Sequence, residues 1–94
     1  MLEKQLEVIV KRYAEAQGWL TRKWTSPAHA FVPDQIFISP HGKVIFVEFK
    51  QLGKKPSSGQ LREHDKLRVH HCLVYVIDTV EAGKAMIDEH TGGV

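Results

Sequence analysis

Cysteine is nearly absent: Cys72 is the one cysteine among 94 residues. That excludes an internal disulfide and a cysteine-rich zinc site. Long apolar runs are missing too. The run Val44-Ile45-Phe46-Val47 stops at Glu48, far short of the ~18 residues a membrane-spanning helix needs. The opening Met-Leu-Glu-Lys-Gln-Leu-Glu has no basic stretch leading into an apolar one, so no signal peptide is expected. These absences point to a reducing, cytoplasmic setting with no membrane partner. Nor is there an excess of one charge. Thirteen Lys and Arg against eleven Asp and Glu leave +2, which does not demand a nucleic acid but permits one where positive charge clusters. The composition that remains, 43% hydrophobic and 26% charged, is that of a globular chain and excludes disorder and low complexity. The length allows a single domain, 1–94. Its core is modest, and self-association is a route to further stability.

The periodicity predicts a helix over 2–17, where Leu2, Leu6, Ile9, Val10, Tyr13 and Ala14 recur at spacings of three and four and Gly18 supplies a stop. Residues 19–24 are β-prone and short. Residues 35–39 and 43–50 read as two strands joined by the turn Pro40-His41-Gly42, a hairpin. A polar loop leads to a helix over 58–71, capped by Ser57 or Ser58. Leu73 to Ile77 reads as a buried strand, 80–90 as a closing helix, and 91–94 as a frayed tail. The order α-β-β-β-α-β-α predicts a small α/β domain, a mixed sheet with helices on its faces. Cys72, at the start of the last strand, reads as a core thiol.

The hairpin carries the chemistry. With a three-residue turn, paired residues sum to 82: Ile38 faces Val44, Ile36 faces Phe46, and Asp34 faces Glu48. Side chains alternate across a strand, so these six share one face, an apolar one with two carboxylates converging at its open end. A four-residue loop would instead set Asp34 opposite Val47. Lys50, two residues past Glu48, projects on the same face. Paired carboxylates repel and resist leaving water, and a divalent cation relieves both. Hard oxygen donors suit Mg²⁺ or Mn²⁺, with the carbonyl of Phe49 as a neutral third. Lys50 can then position or help deprotonate an attacking water, or stabilise a pentavalent phosphate.

Pro33-Asp34, thirteen residues, and Glu48-Phe49-Lys50 resemble the PD-(D/E)XK nuclease signature. With Lys23-Trp24-Thr25-Ser26-Pro27, Val32-Pro33-Asp34, Val47-Glu48-Phe49-Lys50 and Ser58-Gly59-Gln60-Leu61-Arg62-Glu63-His64 in this order, residues 2–88 resemble the VRR-NUC (virus-type replication-repair nuclease) domain of stand-alone phage type. The resemblance implies a restriction-endonuclease-like fold and a metal-dependent DNA endonuclease. It implies Asp34 and Glu48 as metal ligands and Lys50 as the catalytic lysine. Gln60 matches the family's glutamine at the start of the next helix. It also implies a glutamate on the first helix, for which Glu3 fits better than Glu7. Many family members carry a small residue before Val-Pro-Asp; here it is Phe31.

Gln60 and His64, one turn apart, could orient a water or a phosphate. Lys54, Lys55, Arg62, Lys66 and Arg68 form a basic cluster, and Lys54, Lys55, Arg62 and Lys66 are the expected DNA contacts. Trp24 and Phe31 could stack on a base or pack in a dimer. The reading is a metal-dependent endonuclease selective for branched DNA such as four-way junctions, acting as a homodimer in the cytoplasm, the host's if the protein is phage-encoded. The rival is a non-catalytic DNA-binding or assembly module on the same scaffold.

Overall fold

The computed structural model describes residues 1–92. Helix α1 (Glu3–Ala16) is followed by strands β1 (Leu20–Lys23), β2 (Gln35–Ile38) and β3 (Val44–Phe49), helix α2 (Ser58–Val69), strand β4 (Leu73–Ile77) and helix α3 (Val80–Thr91). The predicted α/β order holds. The four strands lie in chain order in one mixed sheet. β1–β2 and β2–β3 are antiparallel, while β3–β4 is parallel, a pairing that needs the crossover α2 supplies. Among the described residues no helix is long and apolar enough to cross a membrane.

Strand β3 alternates. Ile45, Val47 and Phe49 point into a core built with Leu6, Val10, Met86 and Ile87 from α1 and α3. Glu48 points the other way, towards His64 of α2. So α1 and α3 cover one face, and α2 crosses the other. Of the predicted stripe on α1, Leu6, Val10 and Ala14 are buried, whereas Leu2 and Ile9 are exposed; the helix buries the narrower i, i+4, i+8 row. α1 and α3 approach so closely at Gly83 that a Cβ there would stand 2.5 Å from Val10 Cγ2.

Local chemistry sets the ends. The Ser57 hydroxyl accepts from Gln60 N–H at 3.2 Å, and Gln60 Oε1 accepts from Ser57 N–H at 2.9 Å. This reciprocal cap decides between Ser57 and Ser58. α2 ends at Val69 rather than at residue 71, because His71 adopts φ 66°, a left-handed conformation that closes a helix. Thr91 is not frayed. It ends α3, accepts from Trp19 Nε1 at 3.0 Å and donates to the Ile87 carbonyl at 2.6 Å. The rest of the expected tail, Gly93 and Val94, lies outside the described residues. Cys72 is half-buried, not a core thiol.

Candidate active site

The hairpin register is the three-residue one. Ile38 pairs with Val44, Ile36 with Phe46 and Gln35 with Val47. Ser39 holds the turn: its N–H donates to the Lys43 carbonyl at 2.9 Å, and its hydroxyl accepts from Lys43 N–H at 3.0 Å. One step beyond the last pair, Asp34 Oδ2 accepts from Phe49 N–H at a long 3.4 Å, and the Asp34 carbonyl accepts from Trp24 N–H at 2.8 Å. Asp34 is therefore held at the end of the hairpin beside Glu48.

The face they share is not the core face. Ile36, Ile38 and Phe46 are half-buried and Val44 is exposed, while the alternate positions are buried. The reason is coverage: α1 and α3 pack on the other side, and on this side Trp24 lies over Phe46 with ring centroids 5.0 Å apart. That contact places Trp24 against the sheet. Phe31 is 47% exposed.

Glu48 is 2% exposed. Its carboxyl is raised from the ordinary 4.5 to about 8: burial contributes most, the adjacent Asp34 adds to it through a shared hydrogen bond and its charge, Glu3 adds a smaller push, and Lys50 opposes. The electrostatics thus bring Asp34, Glu48, Lys50 and Glu3 to one locality. Glu7 is engaged elsewhere, accepting a hydrogen bond from the buried Gln35 Nε2, whereas Glu3 is exposed and touches Glu48 only through the smallest of the charge effects on it. Gln60 has its Oε1 in the α2 cap.

The sequence reading passed over Gln35, although a polar residue at an inward position of β2, alternating with Phe37, signals it. It read His64 as able to orient a water or a phosphate; the ring is fully buried, with Nε2 3.7 Å from Glu48 Oε1. Among the described residues no group of three or more His, Cys, Asp or Glu side chains is arranged to hold a metal ion. The donor set expected from the sequence is two carboxylates, Asp34 and Glu48, and the Phe49 carbonyl. Glu48 is buried beside Asp34, and an all-oxygen set built on two adjoining carboxylates fits a hard divalent cation.

The basic residues divide. Lys54 and Lys55 are exposed in the β3–α2 loop, and Arg62 and Lys66 are exposed on α2. The latter two border a groove of about 250 Å³ with His29, Phe31 and Glu63. Arg68 leaves the cluster, since its guanidinium donates to the Val74 carbonyl at 2.9 Å and pairs with Asp65 at 3.9 Å.

A mixed four-stranded sheet with Asp, Glu and Lys gathered at the end of its hairpin defines a small restriction-endonuclease-like domain of PD-(D/E)XK type. No protein-family model matches the chain. In sequence it is 40% identical over 78 residues to "Putative nuclease p44" of Acyrthosiphon pisum secondary endosymbiont phage 1, across 83% of this chain and 80% of that protein. A solved structure described as "VRR_NUC domain" superposes with a TM-score of 0.86 and 31% identity, over 94% of this chain and 96% of that one. A second, "VRR_NUC domain protein", shares the fold at TM-score 0.79 with 12% identity, over 100% of this chain and 91% of that one. The chain belongs to the VRR-NUC family.

Proposed function

We propose that this protein is an endodeoxyribonuclease that hydrolyses phosphodiester bonds with Mg²⁺ or Mn²⁺, on branched DNA such as a four-way junction. The observation that carries the reading is the Asp34–Glu48 pair: a buried glutamate whose carboxyl is raised to about 8 and which faces a second carboxylate. Such a pair destabilises a fold that has no use for it.

Asp34, Glu48 and the Phe49 carbonyl would hold the ion. When bound, it supplies positive charge at the scissile phosphate and acidity for a water. Lys50 presents an ammonium beside the carboxylates, orienting the attacking water or stabilising charge on the phosphate. Glu3 extends the acidic cluster. Gln60, at the α2 cap, keeps Nε2 as a donor for a phosphate. Lys54, Lys55, Arg62 and Lys66 bind the flanking DNA backbone.

A homodimer presents two sites to two strands. An apolar groove of about 500 Å³ on the outer side of α1, between Met1, Val8 and Ile9, supports association there. A phage source and the host cytoplasm fit the relative from a phage. The test is incubation with labelled four-way and linear DNA in Mg²⁺, Mn²⁺ or EDTA. Preferential, metal-dependent cutting of the junction is expected. DNA binding without cutting under every condition would favour a non-catalytic module.

A further inference from the structure

Glu48 meets one side chain of α2, and that contact is unusual. His64 is 0% exposed, and both of its ring nitrogens lack a hydrogen-bond partner. Glu48 Oε1 is buried and unpartnered as well, and it stands 3.7 Å from His64 Nε2. That separation is longer than the ~2.7–3.2 Å of a hydrogen bond, so the two groups face each other without bonding. Leaving such groups unpaired costs roughly 1–3 kcal/mol each. A leucine of similar size would remove the ring's share of that penalty, so packing alone gives no reason for an imidazole here.

We propose that His64 is a positioning residue: its Nε2–H serves as the donor that fixes the Glu48 carboxylate when the other carboxylate oxygen takes up the divalent ion. This rests on the metal-dependent reading above. Two features support it. An imidazole offers a ring N–H as a donor, and this one is fully buried with Nε2 aimed at Glu48 Oε1. An ionised Glu48 strengthens a hydrogen bond to it, and closing the gap needs a shift of under about 1 Å. The helix carrying the ring is held at both ends, by the Ser57–Gln60 cap and by Arg68 donating to the Val74 carbonyl at 2.9 Å. A metal-bound carboxylate held by a second hydrogen-bonding group gains affinity, and loss of such a partner weakens binding by about 10–100-fold.

The experiment is Mn²⁺ titration by calorimetry, with the electron paramagnetic resonance of the bound ion, on the full chain and on His64→Leu, His64→Gln and His64→Asn, with thermal unfolding in EDTA alongside. Expected are a His64→Leu that unfolds in EDTA no earlier than the parent but binds Mn²⁺ about 10–100-fold more weakly with an altered resonance. His64→Gln, which keeps a donor of similar reach, stays within several-fold of the parent. If His64→Leu does not fold, His64→Asn, whose shorter amide falls short of Glu48, takes its place. Mn²⁺ affinity in His64→Leu equal to the parent's, equal losses in His64→Gln and His64→Leu, or failure of all three to fold would overturn the positioning role. A parent that binds no Mn²⁺ would overturn the metal reading itself.

Discussion

Phe31 lies over Gly59 so closely that a Cβ on Gly59 would stand 2.7 Å from the ring. The bulky residue before Val32-Pro33-Asp34 is thus accommodated by the absence of a side chain at the start of α2. The contact ties the loop leading to Asp34 to the helix carrying His64, and it forms one wall of the groove bordered by Arg62 and Lys66.

Gly59→Ala should separate stability from binding. Phe31 is half-exposed and can swing into solvent, so the loss of stability should stay under about 1 kcal/mol, while DNA affinity falls as the groove changes shape. Gly83→Ala should do the reverse. Its Cβ would meet Val10 at 2.5 Å in the core, and overpacking there should destabilise by about 1–3 kcal/mol. Chemical denaturation and DNA titration of both variants check the contrast.

Glu48 gives the metal-free protein a signature in pH. Its folded pKa, about 8, lies above the ordinary 4.5. The stability it contributes is therefore complete below about pH 4.5 and is lost as pH rises through about 8. In EDTA, the stability of the parent relative to Glu48→Gln should fall across that window. Saturating Mn²⁺ should remove the fall, since the ion binds the ionised form and displaces the proton. Urea unfolding of both proteins between pH 5 and 8.5 measures it.

Lys50 and the loop lysines should fail differently. Lys50→Ala should lower the single-turnover rate by orders of magnitude while metal affinity holds or rises, because an ammonium has no lone pair to give a metal. Lys54→Ala and Lys55→Ala should weaken DNA binding and flatten its salt dependence by roughly one unit per lost contact. A Lys50→Ala that behaves like the loop variants would make Lys50 an ordinary phosphate contact.

Association should appear in sedimentation as a dimer at micromolar concentration. Ile9→Glu, which sets a charge on the apolar groove along α1, should shift the protein to monomer without unfolding it. A strict monomer that still makes paired cuts would overturn the dimer.

The order of elements and the Asp34–Glu48 register were legible because strand alternation and a Pro-His-Gly turn leave few ways to pair a hairpin. The ends of α2 and α3 were less so. His71 takes a left-handed backbone at a position where sequence periodicity allows the helix to continue, and Thr91 is ordered through a tertiary bond from Trp19, 72 residues away. The face of the site was read as apolar because Ile36, Ile38 and Phe46 line it; which face the helices cover is decided by packing. The contact between His64 and Glu48 depends on where α2 lands on the sheet, and no local pattern encodes that.

The central claim is that the Asp34–Glu48 pair hydrolyses DNA with a divalent ion. Single-turnover cleavage of a labelled four-way junction by the parent and by Glu48→Gln, with DNA affinity measured alongside, tests it most directly. The account predicts cutting by the parent in Mg²⁺ or Mn²⁺, none by Glu48→Gln, and equal or tighter DNA binding by the variant as local negative charge falls. Undiminished cutting by Glu48→Gln would contradict it.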